Sequence, residues 1–394
     1  MSDSQVAFPV SVYAQRLKHA QEVAAEKGID LLILGTGADF AYLTGSWVSS
    51  HERLTALVLR PDAAPFIVAP ATDIETLNAS PVAELGIELR GWQDGENPYA
   101  LACDSFAQQQ EGSESTGDKG NKAPTIALGA SLTADHVLRL QDKLRANSSA
   151  QPQYVLATYA LAELFTRKDD AEIKELAKAG SAIDAVHNAV PELLQPGRTE
   201  ADVAADLREL ILREHVEIDF IIVGSGPNGA NPHYDYGDRV LTEGEPVVVD
   251  IGGTLPSGYH SDTTRTYVVG GDVSAAPQDF QKAYSVLERA QAAGRAAAKP
   301  GATAQDVDRA TRSIIEEAGY GEYYTHRTGH GIGLSTHEEP FIMEGNELVL
   351  EEGMAFSIEP GIYIPGKWGM RLEDIVYTTA DGYESLNKAP RELR

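Results

Sequence analysis

The chain has 394 residues, with 32 Lys and Arg against 59 Asp and Glu, a formal net charge of −27. Such a charge repels phosphate backbones and anionic lipid, which argues against nucleic-acid partners and electrostatic membrane docking. With 42 % hydrophobic and 23 % charged residues, the composition is globular, and the length suits two or three domains.

Residues 1–10 are polar and lack the basic and apolar pattern of a signal peptide. Apolar residues at helical spacing follow over 12–27, and short apolar runs over 30–35, 55–59, 65–68 and 125–129 read as strands bounded by Pro, Gly or Asp. Strands alternating with helical patterns predict a small α/β domain over 1–160. Residues 108–122 (QQQEGSESTGDKGNK) are low in complexity and polar, and are expected to form a surface loop inserted in that domain. No apolar run reaches the roughly 18 residues of a membrane-spanning helix. The one cysteine, Cys103, excludes an internal disulfide and a cysteine-based metal site. A cytoplasmic protein is the simple expectation.

A second domain is expected over 167–394. It opens on a helical pattern over 170–190, with Ile173, Leu176, Ala177, Ile183 and Val186 on one face. The segment Pro196-Gly197-Arg198-Thr199 with Asp202 and Val203 recurs, 104 residues on, as Pro300-Gly301-Ala302-Thr303 with Asp306 and Val307. In each copy Thr followed by Asp three residues later predicts a helix-opening capping box. Leu241-x-Glu243-Gly244 and, after five residues, Asp250-x-Gly252 recur as Leu350-x-Glu352-Gly353 and Glu359-x-Gly361, offset by 109. Two matches in one order point to an internal duplication of a helix–helix–strand unit.

The duplicated strands carry the acids. Asp250 ends the run 246–249 (PVVV), and Asp262 precedes the strand-like run 263–269 after a Gly- and Pro-containing turn. A hairpin would set the two side by side. In the second copy Glu359 ends the run 354–358 and Glu373 precedes 375–378. A lone acidic residue is ordinarily a surface charge. Acids in apolar strands are costly unless paired or bound to metal, and four brought together by pseudo-symmetry would repel. A divalent cation is the remedy. His330, between glycines in 325–333 (THRTGHGIG), supplies an imidazole, with His337 seven residues on and His233 ahead of the first acid. Oxygen-rich sites with one imidazole suit Mn, Co, Zn or Fe. His326 and His330 have H-x-x-x-H spacing, but Arg, Thr and Gly lie between them, where the helical zinc motif needs a Glu.

Asp250, Asp262, His330, Glu359 and Glu373, in that order, resemble the five metal ligands of the pita-bread metallopeptidases: methionine aminopeptidases, aminopeptidase P, prolidase and the metal-free creatinase. Ser261-Asp262-Thr263-Thr264-Arg265-Thr266, Gly329-His330-Gly331-Ile332-Gly333 with His337-Glu338, Ile358-Glu359-Pro360-Gly361 and Arg371-Leu372-Glu373-Asp374 carry the likeness. Tyr42-Leu43-Thr44-Gly45 resembles the creatinase-like N-terminal domain more loosely. The resemblance implies an α/β (α+β) chain: the small N-terminal domain, then a pseudo-two-fold catalytic domain with a curved antiparallel sheet. It implies a homodimer and two divalent cations, usually Mn, with Asp262 and Glu373 bridging both. Asp250 would hold one cation, and His330 and Glu359 the other. Glu359 would also be the general base, and His233 and His337 would position peptide and oxyanion. Arg371 would support the ligands.

An N-terminal domain together with all five ligands points to the Xaa-Pro branch, prolidase or aminopeptidase P, acting on dipeptides or short proline-containing peptides. Proline makes a tertiary amide with no N–H, so its hydrolysis needs a dedicated site. A metal-free creatinase-like C–N hydrolase is the alternative, as is an aminopeptidase of the same fold with another specificity. A non-catalytic binding module would have lost ligands, and none is lost. A strict dipeptidase should hold the free proline carboxylate with a cation. Prolidases commonly supply one after the second histidine, yet residues 338–358 hold no Lys or Arg. Lys367, Arg327, Arg371 or a residue of another subunit are the substitutes. The spacing of twelve from Asp250 to Asp262 exceeds the family's usual eleven by one residue, which a hairpin tip can absorb.

Overall fold

A computed structural model describes residues 8–113, 123–148 and 150–394. They fall into two compact units, one ending at Phe165 and one over Thr166–Arg394. Among the described residues, no helix is long and apolar enough to cross a membrane.

The first unit opens with the helix Val10–Glu26 and carries six strands: β1 (Leu31–Gly35), β2 (Ala56–Arg60), β3 (Ala63–Pro70), β4 (Glu88–Trp92), β5 (Thr125–Leu128) and β6 (Gln153–Leu156). They form one sheet in the order β4-β3-β2-β1-β5-β6. The pairs β1/β2 and β2/β3 run antiparallel, and the pairs β3/β4, β1/β5 and β5/β6 run parallel. All five residues of β1 are buried, as befits a central strand covered on both faces. The low-complexity stretch departs from expectation. The helix Pro98–Ser113 runs on through its first six residues, because Gln and Glu extend a helix that Ala102, Cys103 and Phe106 anchor in the core. Residues 114–122 lie outside the described ones.

The second unit repeats itself. Each half opens with two helices: Asp170–Leu193 and Glu200–Ile211 in the first, Gln278–Ala297 and Ala304–Glu317 in the second. Thr199 and Asp202 form a full capping box, and so do Thr303 and Asp306. The strands are β7 (Glu217–Ser225), β8 (Pro246–Thr254) and β9 (His260–Val268), then β10 (Gly329–Gly331), β11 (Glu338–Ile342), β12 (Ala355–Ile358), β13 (Gly361–Ile364), β14 (Trp368–Arg371), β15 (Asp374–Thr378) and β16 (Tyr383–Ser385). Every pairing among them is antiparallel. The sheets are β7-β8-β9, β11-β10-β12-β15-β16 and the hairpin β13-β14.

Strand alternation separates packing from chemistry. Val247, Val249 and Ile251 pack with Ile183, Val186, Val203 and Leu207 of the helices. Each such buried aliphatic side chain is worth about 1.5–3 kcal/mol. The alternate residues Val248, Asp250 and Gly252 therefore face the other way. In the second half Phe356 and Ile358 join the core with Val307 and Val376, which leaves Ser357 and Glu359 on the opposite side.

Candidate metal centre

The hairpin β8–β9 sets the first two acids. Asp250 lies opposite Thr264 and Gly252 opposite Asp262, so the two carboxylates sit diagonally on one face. The pairing is unbroken from Pro246↔Val268 to Thr254↔His260. The additional residue between the acids is thereby confined to the tip, residues 255–259.

His330 is the middle residue of β10. A Cβ on Gly329 would meet the Ser357 carbonyl oxygen at 1.9 Å, and one on Gly331 the Glu339 oxygen at 2.2 Å. Only glycine lets the backbone come this close on both sides. The His330 N–H donates to Ser357 Oγ (3.0 Å), and its ring Nδ1 bonds Gly331 O (3.0 Å). That bond assigns the proton to Nδ1 and turns Nε2 to the acids: Glu359 Oε1 at 3.3 Å and Asp262 Oδ2 at 3.6 Å.

Glu359 and Glu373 differ from the expected copy of the first hairpin. They flank the short hairpin β13–β14, which the sequence pattern did not reveal. Each is fixed by its own backbone: Glu359 N–H donates to Thr328 O (2.8 Å), and Glu373 N–H to Thr264 O (3.1 Å). The second bond ties the second half to β9 of the first. Thr264 Oγ1 donates to Glu373 Oε2 (2.9 Å).

One ligand atom each from Asp262, His330 and Glu373 lie within 4.8 Å of one another, and all three residues are buried. Burial first, then Glu373, Asp250 and Glu359, pushes the Asp262 carboxyl well up. Burial, then Glu359 and Asp250, does the same to Glu373. Burial lifts Glu359 too, against the opposing charge of Arg371. The His330 imidazole is driven down to about 3, mainly by burial, and is therefore a neutral ligand at ordinary pH. Among the described residues, buried Asp250 Oδ1 and Glu373 Oε1 have no hydrogen-bond partner. Such orphaned acceptors are expensive. An acid cluster short of positive charge, with two bare oxygens and an imidazole nitrogen turned to the acids, fits divalent cations.

Arg371 is the buried cation of the cluster. It pairs with Asp250 through Nη2. Its Nε donates to Thr264 Oγ1 (3.1 Å), and its Nη1 to Tyr363 Oη (2.8 Å) and Pro232 O (3.2 Å). The last bond tethers the turn that carries His233, which is itself exposed. His337 is set edge-on to His330, ring centroids 4.1 Å apart. Burial, then the charge of Arg327, pushes its pKa down. His326 lies outside any helix and bonds Tyr363 Oη through Nε2 (2.9 Å).

Sequence reasoning nominated Arg371 and quoted Thr264 and Glu338 within motifs without a role, and it missed Tyr363 and the part-buried Lys168–Glu338 ion pair. Tyr363 and Thr264 are recognisable only once β13–β14 and β9 are placed. Lys168 lies 170 residues from its partner, and nothing local marks it.

Fold and site together define a metallopeptidase with a duplicated, antiparallel catalytic unit. Residues 174–380 match the model of metallopeptidase family M24, and 16–158 match the Creatinase/Prolidase N-terminal domain. The chain belongs to family M24 and is a hydrolase. It is 50 % identical over 387 residues to "Probable dipeptidase PepE" of Mycobacterium tuberculosis (strain H37Rv), covering 98 % of this chain and 97 % of the relative. It is 34 % identical to the Xaa-Pro dipeptidase of Lactobacillus helveticus, covering 96 % and 98 %. The crystal structure of dipeptidase PepE from Mycobacterium ulcerans superposes with a TM-score of 0.89 at 47 % identity, covering 98 % of each chain.

Proposed function

We propose that the chain is an Xaa-Pro dipeptidase that works with two divalent cations. The observation that carries this reading is the buried trio of Asp262, His330 and Glu373, with the charges of Asp250 and half-buried Glu359 acting on it and with Asp250 Oδ1 and Glu373 Oε1 unpartnered among the described residues. Asp250, Asp262, His330, Glu359 and Glu373 would hold the cations. When bound, the cations polarise the scissile carbonyl and acidify the attacking water. Glu359, whose burial lifts its pKa from the ordinary carboxylate range, is suited to take the water's proton. It then returns the proton to the leaving proline nitrogen. His233 and His337 hold the peptide and the oxyanion, and Arg371 fixes Asp250.

Of the three cations of this chain that the sequence offers for the proline carboxylate, two are committed. Arg371 is bound to Asp250, and exposed Lys367 faces Asp279 at 3.7 Å. Arg327 lies with its guanidinium 4.4 Å from the centre of the Phe341 ring. Its charge acts on Glu359, His330 and His337. No acidic side chain among the described residues pairs with it. Arg327 is the receptor for the substrate's carboxylate in this reading, which favours dipeptides over longer chains. The same reading takes manganese as the working metal, a homodimer as the assembly and the cytoplasm as the compartment.

The test is hydrolysis of Ala-Pro and Ala-Pro-Ala side by side, after chelation and again with Mn²⁺ restored. Metal-dependent cleavage of Ala-Pro, with Ala-Pro-Ala much poorer, is expected. Equal cleavage of both would make the enzyme an aminopeptidase P. Cleavage of neither by the metal-loaded protein would overturn the substrate class.

A further inference from the structure

His337 is the last residue of an excursion that leaves β10 after Gly331. The edge-on contact with His330 is one restraint on its ring. A second lies at the far end of the β8–β9 hairpin. Thr254 and His260 are directly paired there and share the face that carries Asp250 and Asp262. Beside them, β7 has an irregularity: its register against β8 shifts between Ile218 and Phe220, so Asp219 is an extra, unpaired residue. A bulge of this kind re-aims a side chain. Here it turns the Asp219 carboxylate onto the hairpin. Oδ2 accepts from His260 Nδ1 (2.6 Å), and Oδ1 from Thr254 Oγ1 (2.7 Å).

His260 in turn grips the segment leading to His337 at two points. Its backbone N–H donates to Gly333 O (3.0 Å), and its ring Nδ1 lies 3.2 Å from Thr336 Oγ1. The Lys168–Glu338 pair closes on the same segment, where a Cβ on Gly333 would meet Lys168 Nζ at 2.7 Å. Gly333 and Thr336 are therefore held between two polar anchors, and His337 follows directly.

We infer that the Asp219–His260 dyad is a positioning device for His337: the bulge aims Asp219, Asp219 fixes His260, and His260 fixes the turn that presents the His337 ring. The inference rests on reading His337 as a group that faces substrate. Among the described contacts every close polar contact of the His260 ring is made by Nδ1, whose single N–H is committed to Asp219 with the Thr254 and Thr336 hydroxyls 3.2 Å away. The dyad acts through that nitrogen.

Two substitutions separate the ring nitrogens. His260→Asn keeps a donor near the place of Nδ1, and His260→Gln keeps one near Nε2. In the metal-loaded enzyme, His260→Gln is expected to lower kcat by about 10- to 100-fold, the range for partners that orient functional groups, with two metals still bound and KM little changed. His260→Asn should restore most of the activity. Thr336→Val, which removes one contact and leaves the dyad intact, should show a smaller loss in the same direction and serves if His260→Gln does not fold. Combined with His337→Ala, His260→Gln should cost nothing further, because two residues acting through one group are not additive. Where His337→Ala is itself impaired, full additivity or wild-type kcat in His260→Gln overturns the inference. The His337 ring resonance of the metal-free protein gives a readout free of activity. It should move in His260→Gln and stay in His260→Asn. A moved resonance with fully active His337→Ala would sink the role of His337 and leave the positioning intact. An unmoved resonance would sink the positioning.

Discussion

The two halves of the catalytic unit share a frame and differ in what they hang on it. Gly197 N–H donates to Leu241 O and Gly301 N–H to Leu350 O, both at 2.9 Å. Leu241 returns a bond to Arg198 O and Leu350 one to Ala302 O, both at 2.8 Å. Isolated bridges join Thr199 to Val240 and Thr303 to Val349. Gly197 and Gly301 have φ of 89° and 87°, a left-handed conformation that favours glycine. Past this frame the halves part. The first delivers both acids from one continuous hairpin. The second interposes β13–β14 between its glutamates and adds His330 from a strand of its own. Duplication has kept the point where each strand enters the sheet and has left the delivery of side chains free to change. The asymmetry explains why the only imidazole among the five proposed ligands, and the base nominated beside it, both come from the second half.

The sharpest way to break the comparison is to strike that second half. Glu359→Gln removes ligand charge and base together. Turnover should fall by at least about 10³, more than the 10²–10⁴ span's lower end for loss of acid–base action alone, and metal content should drop with it. Near wild-type turnover would take Glu359 out of the mechanism.

A smaller effect is expected from pH in the chelated protein. The carboxyls of Asp262, Glu373 and Glu359 titrate higher in the folded chain than in the unfolded one. Stability tied to them is present at low pH and lost as pH rises through the raised values. His187 and His330 are buried and His326 is half-buried, and all three have pKa values near 3. The unfolded chain protonates these below about 6.5, so they act oppositely there. The Tm of the chelated protein should therefore rise between pH 8 and about 6.5 and fall on further acidification. Bound metal keeps the acids ionised, so the loaded protein should lack the first rise. A chelated Tm that is flat above pH 6.5 would mean that the acids do not repel as described.

The smallest effect probes the shared frame. Thr199→Ala and Thr303→Ala each remove the side-chain half of a capping box and should cost about 1 kcal/mol. Unequal losses in urea unfolding would show that the two frames, alike in geometry, are not alike in load.

Much of this was legible in the sequence because its signals are local. The apolar run 246–249 makes an acid at Asp250 costly unless it is paired or bound to metal, and glycines bracket His330 where backbones touch. The duplication is visible because helix caps and strand entries leave residue types at fixed spacing. The hairpin β13–β14 was not legible. Its strands have four residues each, too few for a period, and the spacing of Glu359 and Glu373 resembled that of the first pair. The low-complexity stretch misled because polar residues continue a helix once its apolar start is anchored. Asp219 gave no signal at all, since a bulge is a property of two strands and the sequence shows one at a time.

Cys103 is the chain's one thiol and is buried in the first unit. Burial pushes its pKa up to about 12, so almost none of it is the thiolate that reagents attack. The native protein is thus a silent background for thiol chemistry. A cysteine placed at an exposed site would take a fluorophore or spin label alone, and distances between chosen points could be followed through turnover without first removing a native residue.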